Sequence, residues 1–273
     1  MSVEMKLKQV PAPRGATWVR QGIRVFAMRP VALSALFATF LFGMVMMLQL
    51  PIVGPIITLA SLPLVSLVFM LATQVTLRGL TPTLVLFAVP FRRGRTQSMA
   101  LAQLGGLYAA GTVVIMLLSH WIDGGRLVQL QGMMQPGAQA TPEQVNALLQ
   151  DPMLQAGLLT RLGLAALLSV PFWHAPALVH WAGQSVAKSL FFSTVAMWRN
   201  RGAFLIYGLT CTAAVFVFGM VSSIVLALFG QPELGMIIVM PAGLLAATIF
   251  YASLFFTFFD SFEPSGPPSL PED

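Results

Sequence analysis

Six apolar runs of about twenty residues or more follow one another along the chain and contain almost no charged residue. A helix of that length spans the hydrocarbon core of a bilayer, which is about 30 Å thick. The runs are continuous, whereas the strands of a membrane barrel would alternate apolar and polar residues. The sequence therefore predicts an all-α polytopic membrane protein with six transmembrane helices in three hairpins, at residues 31–50, 52–77, 99–122, 158–182, 203–229 and 235–259.

The composition agrees with this class. Hydrophobic residues make up 57% of the 273 residues, charged residues only 9%, and the mean hydropathy is +0.81. A soluble domain carries about a quarter charged residues. The net charge of +6 would also suit a nucleic-acid partner. The basic residues flank the apolar runs, however, so we expect no nucleic-acid binding.

The distribution of basic residues predicts the orientation. Thirteen of the 15 lysine and arginine residues precede the first run or lie between runs two and three or four and five. Only Arg126 and Arg161 fall on the other side. Under the positive-inside rule the thirteen mark the cytoplasm. We therefore expect cytoplasmic N- and C-termini, a six-span membrane domain at residues 30–259 and a periplasmic loop at residues 123–157.

A basic stretch precedes each hairpin and mixes arginine or lysine with large apolar residues. In the first, residues 1–29, the polar side chains of Arg20 and Arg24 lie on one helical face and Trp18, Val19 and Phe26 on the other. This pattern predicts an interfacial helix in the plane of the headgroups. Predicted lipid-headgroup contacts in the three stretches are Arg20, Arg24, Arg92, Arg93, Arg95, Lys188, Arg199 and Arg201.

Two segments outside the spans have local signals. Thr141, Pro142 and Gln144 read as a capping box with proline at the first helical position, so a helix should begin there. Residues 260–273 are acidic and rich in proline, which predicts a disordered cytoplasmic tail.

The returning span of each hairpin contains a proline, at Pro63, Pro171 and Pro241. A proline inside a helix removes one backbone donor and leaves a carbonyl four residues earlier without a partner. Pro176 follows Pro171 by five residues and should break span four around His174. These five residues form the candidate intramembrane site. The shared string FGMV at residues 42–45 and 218–221 leaves open whether the hairpins are internal repeats.

His174 is the ionisable residue deepest in a span, which makes it a functional candidate. The alternative is a neutral, structural histidine that donates to a carbonyl freed by the prolines. The other histidines, His120 and His180, lie near opposite ends of their spans, so haem ligation is not expected. We predict neither cofactor nor metal site. Asp123 and Arg161, at the outer ends of spans three and four, could form an ion pair across the hairpin.

No span contains aspartate or glutamate, and no catalytic or phosphate-binding motif is present. Three functions therefore remain open, of which we favour the first. It is a non-enzymatic membrane protein that engages membrane lipids or another membrane-protein complex. The second is a transporter or channel for a small or lipid-like solute that uses the proline-broken helices. The third is an intramembrane enzyme centred on His174, with Ser66 or Ser169 as its nucleophile.

Several strings also resemble a known family. They are VPAPRG at residues 10–15 with Trp18 and Gly22, PIVGP at 51–55, APALV at 175–179, FFS at 191–193 and RNRGAF at 199–204. Together they resemble an uncharacterised family of proteobacterial multi-pass inner-membrane proteins. The resemblance implies a bacterial inner membrane. It carries no assigned activity and no functional residue to transfer.

Overall fold

A computed structural model describes residues 5–135, 137–138, 140–230 and 235–264. Six helical segments within these ranges are long and apolar enough to cross a membrane, which confirms the predicted class. In chain order the elements are β1 (Met5–Leu7), α1 (Arg14–Met28), α2 (Pro30–Leu48), α3 (Val53–Leu77), α4 (Arg95–Asp123), α5 (Arg126–Met133), α6 (Pro142–Leu149), α7 (Pro152–Phe172), α8 (Ala175–Ala182), α9 (Val186–Arg199), α10 (Arg201–Leu228), α11 (Gly235–Ser261) and β2 (Phe262–Pro264).

The spans are α2, α3, α4, the pair α7 and α8, α10, and α11. Consecutive spans pack as the pairs α2 with α3, α4 with α7, and α10 with α11. In the first pair, Gly54 lies so close to the carbonyl of Met47 that no side chain would fit. Two short 3-10 turns, Leu84–Phe87 and Val89–Phe91, link the first pair to the second. The turn at residues 231–234 of the third pair lies outside the described residues.

The bundle has two unlike ends. We call the end that carries α1, the 3-10 turns and α9 the basic end, and the opposite end the far end. The core lies toward the basic end, where residues 65–73 of α3, nearly all of α8 and residues 252–254 of α11 are buried. In α10 only Ala203 and Tyr207, both near the basic end, are buried. The far half of α10 therefore presents its apolar side chains outward, to lipid.

Helix α1 forms as predicted, but lipid does not cover its apolar face. Trp18 is 0% exposed and Val19 is 6% exposed, because α1 packs against both α10 and α11. Gly15 and Gly22 allow this close approach, since a Cβ on either would meet the backbone of α10 or α11. Protein therefore covers the tryptophan face that was expected to meet lipid, and the position of α1 in the plane of the headgroups stays a prediction. Ile23 remains on the exposed side.

The first part of the predicted disordered tail is ordered. Asp260 and Ser261 complete α11, and residues 262–264 form β2, which pairs antiparallel with β1. The side chain of Asn200 holds this sheet, accepting from the backbone N–H of Val10 and donating to the carbonyl of Lys8. Residues 265–273 lie outside the described residues.

At the far end the predicted helix start is confirmed. Thr141 accepts from the N–H of Gln144 and the Gln144 side chain accepts from the N–H of Thr141, so the capping box is complete and Pro142 begins α6. The loop is shorter than expected, because α7 begins at Pro152, where Asp151 accepts from the N–H of Met153. Asp151 as N-cap and Pro152 at the first helical position stabilise a start six residues before the predicted one.

Candidate intramembrane site at the break in span four

Span four breaks where the two prolines predict it. Helix α7 ends at Phe172 and α8 begins at Ala175. The N–H of Trp173 reaches the carbonyl of Val170 at 3.5 Å, a distance at the limit of a hydrogen bond. Pro171 and Pro176 lack the donors that would continue the helical ladder through this point. The kink is therefore a direct consequence of the local sequence.

A serine from another helix bridges the break. In a continuous helix the N–H of His174 would donate to the carbonyl of Val170. Here the hydroxyl of Ser193, on α9, lies between them, accepting from the N–H of His174 at 3.0 Å and donating to the carbonyl of Val170 at 3.0 Å. A side chain inserted into the hydrogen-bond ladder is an established cause of helix kinks. Ser193 thus satisfies both backbone groups and attaches α9 to span four.

The imidazole of His174 is 0% exposed, and the rings of Phe204, Phe258 and Phe262 surround it at centroid distances of 5.4 to 5.8 Å. Its Nε2 lies 3.2 Å from Oγ1 of Thr257. The hydroxyl of Thr257 already donates to the carbonyl of Leu254, so Nε2 must carry the hydrogen. Nδ1 is then an acceptor, and it has no hydrogen-bond partner among the described residues.

This arrangement corrects the expected contact of His174. The ring donates to a hydroxyl on α11 and not to a carbonyl freed by the prolines. The two serines proposed as nucleophile partners are also elsewhere. Ser66 donates to the carbonyl of Pro63 and Ser169 to that of Ala166, each at 2.7 Å within its own helix. Within the described part of the chain, neither serine forms a hydrogen bond with the histidine.

The remaining two prolines do not break their spans. Helix α3 continues through Pro63 and α11 continues through Pro241. In α3 the other proline, Pro55, lies eight residues earlier in the first turn, and Gly235–Ser261 contains no second proline beside Pro241. The expectation of three broken helices was therefore wrong for two of them. The candidate site of five residues reduces to Pro171, His174 and Pro176.

The predicted ion pair between Asp123 and Arg161 does not form. Asp123 is 1% exposed and faces Gly157 on α7, one helical turn before Arg161. Its Oδ1 accepts from the N–H of Gly125 at 2.7 Å, while Oδ2 and Nε of Arg161 have no partner among the described residues. Arg126 pairs instead with Asp151, at 2.6 Å.

All eight predicted headgroup contacts are exposed at the basic end. Arg93 differs from the others, because its Nη1 donates to the carbonyl of His180 at 2.8 Å, in the last turn of α8. It therefore binds the C-terminal end of α8, where a positive charge is favourable. Arg201 lies 5.7 Å from the ring of Trp198. The other six residues form no ion pair within the described part of the chain: Arg20, Arg24, Arg92, Arg95, Lys188 and Arg199.

Comparison with known proteins places the chain. Over 272 residues it is 31% identical to a probable inner membrane protein of Burkholderia thailandensis, and the match covers 98% of both chains. The chain belongs to that protein's family. It is therefore a multi-pass inner-membrane protein, as the resemblance in its sequence implied. No family model and no solved structure matches the chain.

Three polar residues that hold distant segments of the fold together were missed as site candidates in the sequence analysis. Ser193, Asn200 and Asp260 each connect segments that are distant along the chain. Ser193 and Asn200 stood inside the strings that carry the family resemblance, which was the available signal. Among the described residues no cluster of three or more histidine, cysteine or acidic residues could hold a metal ion.

Proposed function

We propose that this is a non-enzymatic inner-membrane protein, with both termini in the cytoplasm, whose basic end engages anionic lipid headgroups. The orientation rests on the thirteen basic residues at the end that carries α1 and α9, against two at the far end. Lysine and arginine residues in short loops set the orientation of a membrane protein, because those loops stay in the cytoplasm.

Reporter fusions test the orientation. A fusion after Arg95 or Arg201 should behave as cytoplasmic, and one near Gln139 as periplasmic. The fusion near Gln139 is the matched control, because it lies in the long loop between two spans of the same chain but at the opposite end of the bundle. A periplasmic result at either basic-end site would contradict the orientation.

The observation that carries the lipid proposal is the six exposed basic residues without a carboxylate partner. The same segments contain exposed apolar side chains: Val85 and Phe91 in the 3-10 turns before Arg92, and Phe191 and Trp198 on α9. Such segments place apolar groups at the acyl boundary and positive groups among the headgroups. Unpaired surface arginines next to a bilayer attract anionic lipids and phosphate groups.

Lipid retention tests this function. The purified protein is released from nanodiscs of mixed anionic and zwitterionic phospholipid, and the lipids that remain bound are measured by native mass spectrometry. The double variant Arg92→Gln/Arg95→Gln should lose the enrichment of anionic lipid. The matched variant Arg92→Lys/Arg95→Lys keeps the positive charge and should retain the enrichment of anionic lipid. High salt should reduce that enrichment.

Two outcomes would contradict the proposal. Equal retention of anionic and zwitterionic lipid by the unmodified protein would show that the basic end selects no headgroup. A stable protein subunit that remains bound when all lipid is removed would favour engagement of a membrane-protein complex instead. Transport of a small or lipid-like solute through proline-broken helices has less support, because α3 and α11 continue through Pro63 and Pro241.

A further inference from the structure

A cavity of about 200 Å³ lies inside the bundle, between α3, α4, α7 and α11. Its wall includes Leu62, Ser66, Tyr108, Ser169, Trp173 and Tyr251. Ser66 follows the start of α3 at Val53 by thirteen residues, and Tyr108 follows the start of α4 at Arg95 by thirteen. These two helices begin at opposite ends of the bundle. The cavity is therefore near the middle of the membrane.

The polar groups of the wall are mostly bonded elsewhere. The hydroxyls of Ser66 and Ser169 donate to carbonyls in their own helices, and Nε1 of Trp173 donates to Thr257 at 3.4 Å. The rings of Tyr108 and Phe172 pack together at 5.2 Å. The rest of the wall is apolar and includes Leu62, Pro63, Phe250 and Leu254. The cavity is suited to an apolar occupant.

One side of the cavity is open. Helix α3 packs against α4 and against α11, and α4 packs against α7, so the four helices form a row. The two helices at the ends of the row, α7 and α11, make no more than marginal contact within the described residues. Toward the basic end the bond between Trp173 and Thr257 closes the gap between them. Toward the far end the flanking side chains of both helices, such as Leu162 and Leu245, are exposed.

We propose that this cleft binds one acyl chain of a bilayer phospholipid, which enters between α7 and α11 from the far-end leaflet. An empty cavity of this size would deprive its wall of dispersion contacts. At this depth the medium is hydrocarbon, so an acyl chain is the occupant that restores those contacts. The site does not depend on headgroup binding at the basic end.

Photolabelling tests the site in the full-length protein in nanodiscs. The probe is a phosphatidylcholine with a diazirine at the end of one acyl chain, mixed at increasing mole fraction into unlabelled lipid. Adducts are assigned by peptide mass spectrometry. Labelling of Trp173 and Tyr251 should saturate as the probe increases. Labelling of Phe216, which is 68% exposed on α10 and lies outside this row of helices, should rise in proportion to the probe.

A cavity-filling variant supplies the second test. Ser169→Phe places a ring in the cleft and should abolish the saturating labelling of Trp173 and Tyr251. The matched control Leu167→Phe adds the same ring two residues away, at an exposed position, and should leave it unchanged. Labelling of Trp173 and Tyr251 that rises in proportion to the probe in the unmodified protein would overturn the proposal, whether or not Ser169→Phe folds. So would saturating labelling that persists in a folded Ser169→Phe variant.

Discussion

Trp18 and Asp260 join α1 to the last turn of α11, because the indole Nε1 donates to the carboxylate Oδ2 at 2.6 Å. The same oxygen accepts from Nε of Arg14, and this hydrogen bond raises the pKa of Arg14 above its ordinary value. One carboxylate thus fixes α1 against the end of α11. The basic end is held together by a polar contact as well as by apolar packing.

Replacing Asp260 should loosen α1. In Asp260→Ala the N–H of the fully buried Trp18 has no acceptor, and an unsatisfied buried donor costs about 1–3 kcal/mol. Asp260→Asn retains an acceptor and should cost less. Hydrogen exchange of residues 14–28 in nanodiscs measures the effect. The control is Glu263→Gln, which removes an exposed partner 3.7 Å from Lys8 and should leave this exchange unchanged. Equal exchange in the two Asp260 variants would contradict the assignment.

The close packing of α1 gives a second prediction. A Cβ on Gly15 would lie 2.6 Å from the backbone nitrogen of Tyr207 and nearer still to the carbonyl oxygen of Ala203. Gly15→Ala should therefore destabilise the protein by about 1–3 kcal/mol or more, because backbone atoms cannot yield as a flexible side chain would. Gly208→Ala, where a Cβ would meet nothing within 4 Å, is the matched control. Thermal unfolding in detergent compares them, and similar midpoints would show that α1 does not pack this way.

The break in span four gives a third prediction, on the relative importance of Ser193 and His174. Ser193→Ala leaves an N–H and a carbonyl without their bridge, which should cost about 1–2 kcal/mol. His174→Leu removes one bond to Thr257 together with the unpaired Nδ1, so its cost should stay near 0.6 kcal/mol, the average for a membrane hydrogen bond. The control Thr194→Ala changes an exposed hydroxyl that bonds within α9.

Unfolding midpoints in detergent should rank Ser193→Ala below His174→Leu and Thr194→Ala. His174→Gln separates a structural histidine from a functional one. The structural role predicts a variant that folds and complements a deletion strain. A folded His174→Gln protein that fails to complement would show that the imidazole itself has a function.

The predictable parts of the fold were those that local chemistry determines. Hydropathy located the spans, Pro171 and Pro176 located the break, and Thr141 with Gln144 located a helix start. The helix rotations were not predictable, since a turn of α7 separates the position that faces Asp123 from Arg161. Nor could the sequence show that α10 and α11 cover Trp18, because an apolar helix face suits lipid and protein equally. The bond from Trp18 to Asp260 spans 242 residues and has no local signal.

The far-end loop should respond to pH through Asp151. The hydrogen bond from Arg126, reinforced by the N–H of Met153, lowers the pKa of Asp151 below its ordinary value of 3.8. A group whose pKa is lower when folded adds stability above its unfolded pKa and loses it as the pH falls toward the folded value. The contact between α5 and the start of α7 should therefore persist at neutral pH and weaken below about pH 4.

A spin label at Ala147, an exposed position on α6, reports this loosening in the background Cys211→Ala/Glu143→Gln. Glu143→Gln is needed because Glu143 also lies on α6. Its carboxylate bonds to the backbone N–H of the same residue, which lowers its pKa, so it would titrate in the same pH range as Asp151. Label mobility should increase as the pH falls through this window. In the control Arg126→Gln, the label should already be mobile at pH 7 and change less on acidification. A label in the Arg126→Gln variant that is as immobile as in the parent at neutral pH would show that the pair with Asp151 does not hold the loop.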